Sequence, residues 1–344
     1  MKRDYPKSSM RLGGHMKSVE RELIERGLRF LKDQGTPGIL LGVGDDAAVI
    51  DAQNLPISIS KDAMVEGIHF KRDWSSAQDI GFKLIESSVS DLAAMGARPW
   101  VAFLSVAFPG SVSEDWVDGF WEGIAESCHR TSLRVVGGDT TRSMRDLFLS
   151  ATVIGVHEGT IVKRHSASVG DEVYVTGTLG DSSAGLQILE GETEDDSPML
   201  EFLKNRHRRP LARLEWGAWL GSNGEFASCL DVSDGLVQDL GHIARLSSVG
   251  FHLDASKIPM SREFIEWSSD LSESERMKIA LTGGEDYELI FTVSPETIVP
   301  RFLNGIPATR IGVVIPKESE GTGIKIQGKE GFLNWEKGGW DPFS

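Results

Sequence analysis

Residues 77–108 read AQDIGFKLIESSVSDLAAMGARPWVAFLSVAF, and the change of pattern inside them decides the fold class. From Ala77 to Met95, the residues Ile80, Leu84 and Ile85 recur at the spacing of one helix face, and Gly96 and Pro99 stop the helix. Trp100–Phe108 is then an apolar run of the length of a buried strand. A helix followed at once by a buried strand predicts layered α and β structure. One position breaks the pattern. Asp91 lies inside the helix among Ser87, Ser88, Ser90 and Ala93, a face unusually small and polar for either solvent or core.

The same alternation extends in both directions. Upstream, a helix is expected over Ser18–Lys32, carrying Leu23, Ile24, Leu28 and Leu31 and ended by Gly35 and Pro37. Short strands are expected at Ala47–Asp51 and Ile57–Ser60. Downstream come a helix at Glu114–Thr131 and strands at Leu133–Val136 and Leu147–His157. The polar, aperiodic segment Glu158–Gly170 is the expected domain boundary. The second half restarts with a strand at Glu172–Thr176 and a helix at Ser182–Glu190. Residues 191–200 (GETEDDSPML) read as an acidic surface loop, followed by Ala227–Val232 leading into a helix at Leu236–Leu246, and a strand at Glu288–Val293. The expected chain is therefore mixed α/β (α+β), with a disordered extension over 1–15, an N-terminal domain over 16–158 and a C-terminal domain over 159–344. No short-period repeat interrupts it.

Composition excludes several function classes. The 36 Lys and Arg against 51 Asp and Glu leave a formal net charge of −15, which argues against a nucleic-acid partner. No apolar run has the length of a membrane span, and the polar, basic stretch Met1–Met16 has no apolar core of a secretory signal. Two cysteines, Cys128 and Cys229, make no disulfide framework or zinc site. The expected compartment is the cytoplasm.

Two familiar motifs fail on inspection. Gly323–Glu330 (GIKIQGKE) matches seven positions of a P-loop, but Glu330 stands where a Ser or Thr should reach Mg²⁺, and the flanks alternate like a hairpin. Gly42-Val-Gly44-Asp-Asp-Ala47 resembles a dinucleotide fingerprint, yet its two carboxylates would repel a pyrophosphate and a strand follows instead of a helix.

What does recur is aspartate in glycine or small-residue contexts at the ends of elements. Asp45 and Asp46 lie in GVGDDAAV, Asp62 in SISKDAMVEGIHF, Asp91 in SVSDLAAMG and Asp139 in VVGGDTTRS. Asp231 and Asp234 lie in CLDVSDGLVQDLGHI, and Glu285 and Asp286 in LTGGEDYELIF. Singly, each is an ordinary N-cap or turn residue; Asp234 alone would simply cap the helix that follows. Together they supply the hard oxygen donors that Mg²⁺ shares with phosphates, so several Mg²⁺ ions bridging them to a polyphosphate are expected. The glycine-rich Thr176–Ser183, leading into a helix, is a further place where N–H groups could meet phosphate.

GVGDDAAV, SVSDLAAMGARP, VGGDTTRS, GDEVYVTGTLGDSSAGL, DVSDGLVQDLGHIA and GGEDYELIFTV, in this order, resemble the thiamine-monophosphate kinase family. That family belongs with aminoimidazole ribonucleotide synthetase and selenophosphate synthetase. The resemblance runs from about Met16 to the C terminus. It implies an N-terminal α/β domain whose sheet pairs with that of a second subunit in a homodimer, and a C-terminal α/β domain completing the nucleotide and substrate site. It also implies phosphorylation of thiamine phosphate to thiamine diphosphate by ATP. Carried over by position, the Mg²⁺ ligands are Asp46, Ser60, Lys61, Asp62, Asp91, Asp139, Asp231 and Asp234. Asp139, Asp231 and Asp234 are the core of catalysis, and ATP contacts fall on Gly138, Asp139, Arg164 and Ser233. Thiamine phosphate contacts fall on His69, Glu285 and Trp340, and Asp286 is expected to support the Glu285 loop. Lys61 departs from the family, which has Thr there. A backbone carbonyl ligand would tolerate it, whereas a hydroxyl ligand would be lost.

The chemistry suits such residues. A phosphate monoester is largely ionised at neutral pH, so the attacking oxygen needs no general base. The obstacle is repulsion between two anions, and catalysis is then positioning plus electrostatics. An acidic pocket with an aromatic face, Glu285 and Trp340, suits the thiazolium cation. Two alternatives remain at this level: another ATP-dependent enzyme of the superfamily, such as selenophosphate or aminoimidazole ribonucleotide synthetase, and a non-catalytic nucleotide or metal sensor.

Overall fold

The structure is a computed structural model, and it describes residues 29, 39–41, 49–50, 52, 54–191, 197–223, 227–317, 323–329 and 331–333. The extension over 1–15, most of the Ser18–Lys32 helix, the 42–47 fingerprint, Asp46 and Trp340 lie outside the described residues.

The first half contains β1 (Ile39–Leu41), β2 (Val49–Ile50), β3 (Ile57–Val65), α1 (Ala77–Ala94), β4 (Arg98–Pro109), α2 (Glu114–Thr131), β5 (Arg134–Ser143) and β6 (Phe148–Val156). β3, β6, β4 and β5 form one sheet in that order. β3–β6 and β6–β4 are antiparallel, while β4 and β5 are parallel neighbours joined through α2. Alternate residues of these strands (Met64, Leu104, Leu149, Ala151) pack with Ile80, Leu84, Ile85 and Phe120 of α1 and α2 into one core.

The second half contains β7 (Glu172–Thr176), α3 (Asp181–Glu190), α4 (Pro198–Arg208), α5 (Leu214–Asn223), β8 (Ser228–Asp231), α6 (Leu236–Ser247) and β9 (Val249–Asp254). After them come α7 (Arg262–Trp267), α8 (Glu273–Thr282), β10 (Leu289–Val293), β11 (Phe302–Leu303), β12 (Ile306–Pro316), β13 (Ile324–Gly328) and β14 (Gly331–Leu333). Its sheet runs β14-β13-β9-β12-β7-β10-β8, with β11 paired to β12. Only β13–β9 is parallel among these pairs. The P-loop lookalike is the β13–β14 hairpin, as its alternation suggested.

α1 is the element that positions the site. A reciprocal cap starts it: Ser76 Oγ accepts from the Asp79 N–H at 3.1 Å, and the Asp79 carboxylate accepts from the Ser76 N–H at 3.2 Å. A Cβ on Gly123 would sit 1.9 Å from the Gln78 carbonyl oxygen, so glycine there lets α2 press against α1. The C-terminal end of α1 enters a third apolar cluster, where Ala93 and Ala94 meet Trp216 and Leu220 of α5 and Cys229, Leu289 and Phe291 of the larger sheet. This cluster joins the two halves. α1 is thus buried on nearly every side, which explains its small, polar face: Ser87 and Ser88 return their hydroxyls to the Lys83 and Leu84 carbonyls, each at 2.8 Å.

The expectations for helices at 77–95 and 114–131 and for strands at 100–108, 172–176 and 288–293 match to within a few residues. The acidic loop over 191–200 is corrected at its end. Ser197 caps α4 and Pro198 occupies its first turn, a placement that proline's fixed φ favours. α5 was not anticipated either, because Gly217 and Gly221 lower its intrinsic helix propensity. Among the described residues, no helix is long and apolar enough to cross a membrane.

Candidate active site between the two halves

A cavity of about 740 Å³ opens between the halves. Its walls are the end of β3, the 67–74 segment and α1 on one side, and α3, the end of β8 and the 282–287 loop on the other. Of the residues singled out from sequence, it brings together Asp62, His69, Asp91, Asp231, Ser233, Asp234 and Glu285.

One wall is a group of carboxylates with which, among the described residues, no cation is paired. Ser60 donates its hydroxyl to Asp91, and Ser90 Oγ donates to Asp231 Oδ2 at 2.8 Å, from α1 to β8. Burial, reinforced by the Asp91 charge, pushes Asp62 up to about 6, against a smaller lowering by the Ser88 hydroxyl. Asp231, 3% exposed, is driven well above the carboxylate range by burial and by Asp91, Asp239 and Asp62. Such a group favours a positive charge brought from outside. Among the described residues, no three His, Cys, Asp or Glu side chains form a ready metal cage. The donors fit Mg²⁺ all the same, because that ion is usually held by one or two carboxylates together with water and substrate phosphates.

Strand alternation separates two other expected ligands from this wall. Ser60, Asp62 and Met64 face the helices, with Met64 in their core. Lys61 faces the other way, its Nζ 3.5 Å from Thr152 Oγ1. Only its backbone can share the site of Ser60 and Asp62. Asp139 is exposed on β5, in register with Ser105, which pairs with Ser150, which pairs with Ala63. It therefore stands at the opposite edge of the sheet from β3, three strand spacings or roughly 14 Å away, and on the Lys61 face. The expectation that Asp139 converges with Asp62, Asp91 and Asp231 is not met within one chain. Gly138 beside it is needed for close packing: a Cβ there would lie 2.0 Å from the Leu104 carbonyl oxygen.

The turn after β8 is organised by a residue the motif reading passed over. Asp239, buried in α6, accepts from the N–H groups of Ser233, Asp234 and Gly235 at 3.0, 3.1 and 3.2 Å. Burial and the Asp234 charge push it up to about 7 in spite of these donors. The cap of α6 is thus Asp239 reaching back, and Asp234 is released to line the cavity, where its Oδ2 accepts from Gln238 Nε2 at 3.1 Å. Arg164 is exposed and outside the cavity lining, yet its charge and that of Asp234 both act on His242, in opposite senses.

The other wall is the 283–287 loop. Glu285 and Tyr287 both take left-handed backbone, φ 63° and φ 50°, which is uncommon for residues with side chains and concentrates at functional loops. Asp286 anchors the loop by accepting from the Gly180 and Ser182 N–H groups at 2.7 and 3.1 Å. The Gly180 and Ser182 N–H groups, two of those that Thr176–Ser183 was expected to offer to phosphate, are thereby taken by the protein's own carboxylate. Lys83 Nζ donates to Glu285 Oε2 at 3.0 Å, and His207 Nδ1 lies 3.3 Å from the same oxygen. Burial raises the Glu285 carboxyl, but the Lys83 ammonium above all outweighs it and holds it below its ordinary value. His69 Nδ1 accepts from the Val65 N–H at 3.1 Å, and burial holds the ring below its usual pKa, so the neutral imidazole carries its hydrogen on Nε2. Tyr287 stays a phenol: burial and the charges of Glu285, Asp62, Asp231 and Asp91 all raise it.

Lys83, His207, Asp239 and Tyr287 are thus site residues that pattern reading missed. The signal available for the last two was their place inside DVSDGLVQD and GGEDYEL. Lys83 and His207 occupy ordinary helix positions.

Residues 44–157 match the family model described as AIR synthase related protein, N-terminal domain, and residues 168–325 match AIR synthase related protein, C-terminal domain. The chain is similar to the thiamine-monophosphate kinase of Haemophilus influenzae, with 39% identity over 262 residues covering 75% of this chain and 76% of that protein. The thiamine-monophosphate kinase of Escherichia coli K12 is 36% identical over 315 residues, covering 88% of this chain and 92% of that protein. Among solved structures, AaThiL complexed with AMPPCP and TMP superposes with a TM-score of 0.75 at 31% identity, over 97% of this chain and 99% of that one. From its two domain matches and its identity to these relatives over most of their length, the chain belongs to the AIR synthase related family and, within it, to the thiamine-monophosphate kinases.

Proposed function

We propose that this kinase transfers the γ-phosphoryl group of ATP directly and in line to the phosphate of thiamine phosphate, giving thiamine diphosphate and ADP. The observation that carries the reading is the cavity whose one wall is the uncompensated group Asp62, Asp91 and Asp231 and whose other wall is His69 with Glu285. AaThiL binding both AMPPCP, an ATP analogue, and TMP, read as thiamine monophosphate, supports the same pairing of ligands.

The residues divide the work. Asp62, Asp91, Asp231 and Asp234, with the Ser60 hydroxyl and the Lys61 backbone, would hold several Mg²⁺ ions together with the phosphates, and Asp46 joins them by family position. Bound there, Mg²⁺ supplies charge neutralisation between two phosphate groups and along the transferring one. Ser233, presented by the loop that Asp239 ties down, and Arg164 are assigned to the nucleotide. His69 offers Nε2–H to the acceptor, Trp340 its aromatic face, and Tyr287 an O–H among the carboxylates. No side chain is required to remove a proton, since the attacking oxygen is already ionised.

Residues 16–158 would form the nucleotide- and metal-holding domain and 159–344 the domain that closes over it. A homodimer, inherited from the family, accounts for two otherwise idle features. Among the described residues, β3 and β5 each pair on one side only, and the outward face between them exposes Ile57, Ile59 and Phe148. Asp139 and Gly138 lie on that open β5 edge, where a second subunit would add its sheet, and this is how they would enter a site they do not reach alone. The cytoplasm, where ATP is available, is the compartment this reading implies.

The test is direct. Protein, ATP, Mg²⁺ and thiamine phosphate are mixed and products separated by chromatography; equal amounts of thiamine diphosphate and ADP are expected. No thiamine diphosphate across a range of Mg²⁺ concentrations would overturn the reading. Asp139→Asn should abolish turnover with unchanged circular dichroism, and light scattering should report a dimer.

A further inference from the structure

Thiamine phosphate as the acceptor leaves one buried cation behind the cavity wall without a role. Lys83, on α1, is only 4% exposed, and its contact with Glu285 crosses from one half of the molecule to the other. His207, on α4, meets the same carboxylate oxygen and also lies 3.1 Å from Ser182 Oγ. Burial pushes His207 down to about 3, so at neutral pH it is uncharged and Lys83 is the nearest cation balancing Glu285. Glu285 is further held by its left-handed backbone, which a flexible contact would not maintain.

A carboxylate joined to a buried ammonium presents little net charge to a ligand. What it keeps is a directed acceptor: the Lys83 and His207 contacts both go to Oε2, while Glu285 lines the cavity. A fixed, charge-balanced acceptor discriminates by hydrogen bonding, because an unmatched buried polar group is costly. Thiamine phosphate offers both a thiazolium cation and an exocyclic amine on its pyrimidine. Among the described residues no cation pairs with Asp62, Asp91 and Asp231, whereas Glu285 has Lys83, so positive charge from a ligand is favoured at that wall and not at this corner.

We infer that Lys83 is a positioning residue: it orients Glu285 as a charge-balanced hydrogen-bond acceptor, so that this end of the cavity selects the substrate's amine and not its thiazolium charge. The inference rests on thiamine phosphate being the acceptor.

Steady-state kinetics of the full chain test it, with wild type, Lys83→Met and Lys83→Arg, varying ATP and thiamine phosphate separately. A second acceptor is the analogue in which the pyrimidine amine is replaced by oxygen. Wild type is expected to prefer thiamine phosphate by about tenfold or more in kcat/KM. Lys83→Met should raise KM for thiamine phosphate about tenfold, bring the preference within about threefold, and leave KM for ATP within about twofold. Lys83→Arg, which keeps the charge but moves the donor, should raise KM for thiamine phosphate about threefold. Equal rises in both KM values, or a preference unchanged in Lys83→Met, overturn the inference. If circular dichroism shows Lys83→Met unfolded, Lys83→Arg decides, and unchanged constants in it overturn the inference. A wild type that makes no thiamine diphosphate overturns the functional reading and this inference with it. An active wild type with indifferent Lys83 variants overturns the inference alone.

Discussion

Asp231, the last residue of β8, and Glu288, just before the adjoining β10, are two buried carboxylates whose surroundings are opposite. Asp231 pairs in register with Leu289, the residue after Glu288. Glu288, fully buried, is bound by Arg213 and Arg206 and by the Thr176 hydroxyl, and although burial raises it, the two guanidinium groups hold it below the ordinary value. Asp231 has the Ser90 hydroxyl and three neighbouring carboxylates, and is driven far upward. A buried acid with a built-in cation holds structure; one facing only other acids holds a place for a cation that arrives with the ligand. Sequence does not separate the two, since both are acids flanking an apolar strand.

The largest expected effect breaks the comparison at Asp231. Asp231→Asn should lower turnover by about 1,000-fold or more, equivalent to roughly 4 kcal/mol of transition-state stabilisation. The same change should raise the melting temperature of the ligand-free protein, because it removes a buried acid whose ionisation the fold opposes. A calorimetric melt with unchanged or lowered stability would place Asp231 with the structural acids. Next comes Glu288→Gln, which leaves Arg213 and Arg206 buried against a neutral amide. It should destabilise the fold by about 3–5 kcal/mol in urea unfolding, and lose activity only as it loses folded protein. A stable Glu288→Gln variant with impaired catalysis would reverse the assignment.

A smaller effect is carried by pH. Asp62 is pushed up to about 6 from an ordinary 3.8. A raised folded pKa gives stability that is present at low pH and lost as pH rises through the folded value. Asp62→Asn should therefore melt like wild type near pH 4, gain on it between about pH 4 and 6, and keep a constant lead of about 1–3 kcal/mol above that. Comparing the two proteins cancels the histidines, whose depressed values act in the opposite direction. A lead that shrinks as pH rises would show that Asp62 has a cation partner after all.

How much of this was legible follows from where each signal lives. α1, β4 and Asp91 could be read because helix period, Gly-Ala-Arg-Pro stop and small-residue face all lie within one continuous stretch. The acids of the cavity could be gathered from their glycine-rich contexts, which mark chain reversals at element ends. Lys83 could not, because a lysine in an amphipathic helix looks solvated until the second half of the molecule covers it. His207 was hidden with α4, whose Ser-Pro start follows directly on an acidic run. The displacement of Asp139 to the far edge of the sheet was invisible for another reason. Strand order is set by long-range pairing, and no local pattern states which of two edges a residue will occupy.

The smallest expected effect sharpens the comparison at Lys61, where the family has Thr. Were Lys61 to do for the Asp62 group what Arg213 does for Glu288, the site would be self-balanced and poorly suited to Mg²⁺. Strand geometry places it otherwise: Ser60 and Asp62 face the helices, while Lys61 reaches Thr152 on the opposite face. Its backbone carbonyl keeps the same position whatever the side chain. Lys61→Thr should therefore leave kcat and the Mg²⁺ dependence within about twofold, as exposed substitutions away from buried features do. A marked change in the Mg²⁺ concentration needed for half-maximal rate would show that the ammonium acts on the site from across the sheet, most plainly through the open edge where a second subunit would lie.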